Sequence, residues 1–101
     1  MAEPLEDDGP LRVVVVDDHP VYRDGLAVLL SSVPGVEVVA TAADGAQAVA
    51  IARTQQPDVV VMDVQMPVLD GIEATRRITA ESPSVGVVVL TMSEDDGTVF
   101  S

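Results

Sequence analysis

An open sheet of parallel strands with helices on both faces is expected of this chain on three grounds. Residues 13–16, 59–62 and 87–90 are short runs made mostly of valine and apolar at every position. Strands buried on both faces read this way, without the alternation of a half-exposed strand. Helical periodicity fills the segments between the runs, giving a β-α-β-α-β-α-β-α order that calls for right-handed crossovers. The third observation is where the runs stop: Asp17-Asp18-His19-Pro20 follows the first and Asp63 closes the third.

Each element has its own justification. Residues 1–10 carry four acidic residues, two prolines and a glycine, and are expected to be a disordered acidic tail ahead of a single domain over 11–101. Leu11 to Val16 is the first strand, central because it is so apolar. Pro20 suits a first helical turn, and Val21, Gly25, Leu26, Leu29, Leu30 and Val33 then recur at helical spacing until Pro34-Gly35. The second strand, 36–41, is interrupted by Glu37 and is assigned to an edge. Asp44-Gly45-Ala46-Gln47 is a capping pattern for an alanine-rich helix reaching Gln55, with Ala48, Val49 and Ala52 toward the sheet. After the third strand, Pro67 and Asp70-Gly71 mark a loop and a helix start that Asp70 can cap. That helix places Ile72, Thr75 and Ile78 inward and Arg76 and Arg77 outward. Residues 85–91 are a fourth strand, and Ser93 is positioned to cap a final helix.

Composition narrows the function. Apolar residues make up 48% of 101 residues and charged residues 22%, a globular balance. No apolar run approaches the ~20 residues of a membrane span, and the acidic N-terminus has no signal-peptide pattern. With no cysteine, disulfide and thiolate chemistry are excluded, and a cytoplasmic location is expected. The net charge of −12 repels nucleic acid and favours divalent cations and basic partners. All five positive charges are arginine; lysine is absent.

A 2-1-3-4 strand order would bring three strand ends to one crevice: Asp17 and Asp18 from the first, Asp63 from the third, Thr91 from the fourth. Clustered carboxylates repel one another unless a hard cation binds them, and Mg2+ with oxygen ligands is the natural candidate. Each part also has a local reading. Asp17 and Asp18 can serve the first helix's N-terminus, Thr91 can be an ordinary strand residue, and His19 reads as a loop or capping residue rather than a metal ligand. The conjunction at one sheet edge favours a site.

Three stretches carry a resemblance. They are 17–26 (DDHPVYRDGL), 62–74 (MDVQMPVLDGIEA) and 89–93 (VLTMS). With their joint spacing, the chain from Leu11 onward resembles the receiver domain of a bacterial two-component response regulator, of the NarL/FixJ type. The resemblance implies a flavodoxin-like doubly wound fold and a phosphoacceptor role rather than an enzyme in its own right. By it Asp63 takes a phosphoryl group from a sensor histidine kinase. Asp18 and Asp63 bind Mg2+ directly, Asp17 largely through water, and the backbone carbonyl of Gln65 completes the protein ligands. Thr91 is the switch hydroxyl. DNA enters only through a helix-turn-helix domain that this chain does not contain.

The family pattern runs on into a fifth strand, a fifth helix, an aromatic switch partner and a phosphoryl-pairing lysine, so a truncated receiver domain is expected here. Homo-oligomers through a bare fourth strand follow from that expectation. Met92, where many receivers have a smaller residue, would restrict water's access to the phosphoryl site. A dehalogenase-like phosphatase needs an acid–base aspartate at the position of Gln65, and a flavin binder needs a phosphate-friendly loop where Asp17 and Asp18 stand. The remaining alternative is a receiver-like module that works by protein contacts without phosphorylation.

Overall fold

Valine's β-branched side chain fits a pleated surface better than a helix, and the valine runs do form the sheet. The structure, a computed structural model, describes residues 9–63 and 71–90. Four strands, β1 (Leu11–Val16), β2 (Val36–Ala42), β3 (Val59–Asp63) and β4 (Gly86–Leu90), alternate with α1 (Pro20–Ser31), α2 (Gly45–Gln55) and α3 (Gly71–Glu81). All pairings are parallel and the order is β2-β1-β3-β4, the expected doubly wound arrangement. Glu37 accordingly lies on an edge strand. The 1–8 part of the acidic tail, the loop with Gln65, Pro67 and Asp70, and everything from Thr91 onward lie outside the described residues.

The core occupies one face of the sheet. Val14 and Val16 of β1, Val60 and Met62 of β3, and Ala42 of β2 pack against Ala48, Val49 and Ala52 of α2 and Ala74 and Ile78 of α3. Alternation along a strand sends Val13 and Val15 to the other face, where both are buried and α1 lies over β1 and β2. Asp44 caps α2 as expected: its Oδ1 accepts the Gln47 N–H at 2.8 Å, while the Ala43 N–H donates to Gln47 Oε1 at 2.9 Å. A cap of this kind contributes about 0.5–2 kcal/mol. At the helix's other end the Arg12 guanidinium donates to the Gln55 and Gln56 carbonyls, satisfying acceptors that a helix C-terminus leaves open.

Two helix faces differ from the expected ones. In α1 the line toward the sheet is Arg23, Leu26, Ala27 and Leu30, all half-buried, whereas Val21 is 81% and Leu29 62% exposed. Gly25 and Val33 are exposed too. In α3 the inner line is Gly71, Ala74 and Ile78, with Thr75 half-buried beside it, and Ile72 turns outward at 62% exposure. The causes differ: in α1 apolar residues surround too much of the helix for periodicity to fix its rotation, whereas in α3 the small residues Gly71 and Ala74 take the buried line and Ile72 is displaced from it.

Candidate functional site at the carboxyl edge of the sheet

The site is built by register. Val16 pairs with Met62, so Asp17 and Asp63, one residue further along each strand, stand at the same level on neighbouring strands. Neighbouring strands run about 4.8 Å apart. On the other side of β3, Asp63 pairs with Leu90, the residue before Thr91. The 2-1-3-4 order thus brings the ends of β1, β3 and β4 to one edge. Thr91 and Gln65 lie outside the described residues.

Asp17 is held from several directions. Its backbone N–H continues the ladder to the Ala42 carbonyl at 3.1 Å. Its carboxylate, in a residue 3% exposed, accepts the His19 N–H at 2.9 Å. Arg23 Nη1 donates to its backbone carbonyl at 3.2 Å. The part played by Arg23 is not legible in the sequence, because it depends on which way α1 rolls. Asp18 is less fully used: its Oδ1 is shielded from solvent and no hydrogen bond reaches it. A shielded carboxylate oxygen with no donor is costly unless a cation takes it, and two adjacent carboxylates suit a hard cation. These residues therefore fit Mg2+.

His19 is the N-cap residue of α1, yet its side chain makes no capping hydrogen bond. Nδ1 instead faces the carboxylates, 3.0 Å from Asp18 Oδ1 and 3.3 Å from Asp17 Oδ1. The edge of Tyr22 packs on the ring, with centroids 5.6 Å apart. The Asp-Asp-His sequence placed the residue correctly at the helix start but gave no direction for its ring.

Residues 13–100 match the response regulator receiver domain family. This chain belongs to that family. The receiver domain is 43% identical over 86 residues to the response regulator GacA of Pseudomonas aeruginosa, covering 85% of this chain and 40% of GacA. It is 46% identical over 87 residues to protein-glutamate methylesterase/protein-glutamine glutaminase 4 of Myxococcus xanthus, covering 86% of this chain and 25% of that protein. Receiver sequences like this one thus occur in a chain named as an enzyme as well as in regulators. The signal receiver domain of the response regulator NarL from Mycobacterium tuberculosis superimposes with a TM-score of 0.81 at 33% identity, covering 91% of this chain and 74% of that one. A chain of the CheX–CheY–BeF3–Mg2+ complex of Borrelia burgdorferi, 27% identical, gives a TM-score of 0.80 over 94% of this chain and 72% of that one. The chain spans about two fifths of the length of curated relatives such as GacA. Among the described residues no helix is long and apolar enough to cross a membrane.

Proposed function

We propose that this receiver domain is a phosphoacceptor that takes a phosphoryl group from a sensor histidine kinase onto Asp63 and thereby switches an attached helix-turn-helix, transcription-regulating domain in the cytoplasm. The observation that supports it most is the register that sets Asp63 level with Asp17 beside the unsatisfied Asp18 oxygen. A carboxylate oxygen of Asp63 attacks phosphorus as the N–P bond of the kinase phosphohistidine breaks, and that electron pair stays on the imidazole nitrogen. An acyl phosphate results. Asp18 and Asp63 would hold Mg2+ with the Gln65 carbonyl, and Asp17 would reach it through water. When bound, the ion neutralises charge on the transferring group. The Thr91 hydroxyl then donates to a phosphoryl oxygen and draws its loop inward, a local event biasing a two-state element. No observation favours the module without phosphorylation.

Titration with Mg2+ and then a beryllofluoride phosphoryl mimic, followed by amide NMR, tests this reading. Saturable shifts at residues 17–19 and around Asp63, weakened by Asp18→Asn, are the expected result. Amides at this edge that ignore both reagents would refute it.

The domain also self-associates in this proposal. Among the described residues β4 pairs on one side only, and Val88 and Val89 are 47% and 40% exposed. An edge left open there, beside uncharged valines, would be a template for another strand. The net charge of −12 opposes association and salt screens it, so light scattering should show mass rising with salt and protein concentration. A monomer at high concentration and high salt, with slow amide exchange along β4, is the contrary outcome.

A further inference from the structure

We propose that His19 is itself a ligand of the divalent-cation site, so that this domain prefers ions that accept nitrogen, such as Co2+, over Mg2+. The inference rests on the reading that Asp17 and Asp18 bound a cation site. It adds a donor of different chemistry to an oxygen site.

The geometry points to His19 through distances. Two ligand atoms at right angles around a metal, each about 2.1 Å from it, are ~3.0 Å apart, and at a tetrahedral angle ~3.4 Å. Nδ1 of His19 stands 3.0 Å from Asp18 Oδ1 and 3.3 Å from Asp17 Oδ1. Asp17, Asp18 and His19 each offer one ligand atom, all within 4.8 Å of one another. The distance from Nδ1 to Asp18 Oδ1 is that of two ligands on one ion, with Asp17 near enough to reach the same ion through water.

Hydrogen bonding alone does not account for the position of Nδ1. Its contact with Asp17 Oδ1 is long at 3.3 Å, and that oxygen already accepts the His19 N–H. It approaches Asp18 Oδ1 without hydrogen-bonding alignment, and that oxygen remains unsatisfied and shielded. It also leaves the helix N-terminus uncapped. The backbone fixes this posture. Pro20 restricts the residue before it to extended conformations, and His19 has φ −97° and ψ 111°. Its N–H is committed to Asp17 Oδ1, its carbonyl accepts the Arg23 N–H at 2.9 Å, and Tyr22 flanks the ring.

A neutral imidazole gives little to Mg2+, which demands oxygen and sheds water reluctantly. It gives more to Co2+ and Ni2+, whose affinity for nitrogen donors climbs along the first transition row. Side-chain exposure of 61% leaves the ring free to adjust by the few tenths of an ångström that coordination asks.

The test is isothermal titration of the tag-free protein with Mg2+ and, separately, Co2+ at one pH and ionic strength. Wild type, His19→Phe, His19→Gln and Asp18→Asn are compared. His19 is the chain's single histidine, so broadening of its imidazole NMR signals by Co2+ reports coordination without ambiguity. Co2+ is expected to bind wild type about tenfold or more tightly than Mg2+. Both His19 variants should lose about that factor for Co2+ and keep Mg2+ affinity within about twofold. Asp18→Asn should weaken both ions. Co2+ affinity that survives both His19 variants, or affinities for both ions that rise together as a positive neighbour is removed, would overturn the His19 assignment and leave the Mg2+ site standing. Failure of wild type to bind either ion would overturn the cation site and this inference with it.

Discussion

Asp63→Asn is expected to abolish phosphoryl acceptance while leaving the sheet intact. The substitution keeps the size of the side chain and leaves the backbone pairing of β3 with Leu90 untouched. What it removes is the anionic oxygen that attacks phosphorus, and an amide oxygen is a poor substitute. Loss of a nucleophile on which a transfer depends costs on the order of 10³-fold or more. Incorporation of hydroxylamine-sensitive phosphate from a histidine kinase or acetyl phosphate, located by mass spectrometry, measures the loss. The same substitution takes one charge from the cation site, so Mg2+ affinity should fall in parallel. An Asp63→Asn variant labelled at the wild-type rate on the same peptide would remove Asp63 from the reaction.

The second large effect is on stability, and it turns on which isoleucine of α3 faces inward. Ile78 is 1% exposed among Val60, Met62, Ala74 and the residues of α2, whereas Ile72 is 62% exposed. Ile78→Ala deletes buried methyl and methylene groups and leaves a cavity that neighbours close only in part. The cost is about 2–5 kcal/mol. A typical domain has only about 5–15 kcal/mol to lose, so the urea midpoint should fall sharply. Ile72→Ala, on the outer side, should stay within about 0.5 kcal/mol of wild type. Equal losses from the two would mean that α3 is rotated from the position described.

The sequence alone settled the elements and their order, because those depend on neighbours in the chain. Valine runs, apolar at every position, matched β1 and β3 in the sheet centre, although the same pattern in β4 leaves Val88 and Val89 exposed; Glu37 marked an edge, and Asp44 with Gln47 fixed the start of α2. It also brought Asp17, Asp18 and Asp63 to strand ends, since each closes an apolar run. Features that depend on contacts distant in sequence emerged with the packed fold. Pairing of Val16 with Met62 set Asp17 level with Asp63, and a slip of one residue would have separated them while leaving every local signal unchanged. The roll of α1 was open for the same reason: apolar residues lie nearly all round it, so the sheet chose Leu26, Ala27 and Leu30 and turned Val21 and Leu29 to solvent. That roll placed Arg23 on the Asp17 carbonyl. The direction of the His19 ring was settled at the same level, by an extended backbone ahead of Pro20 that sets Nδ1 within 3.3 Å of two carboxylates in place of the capping role its position suggests.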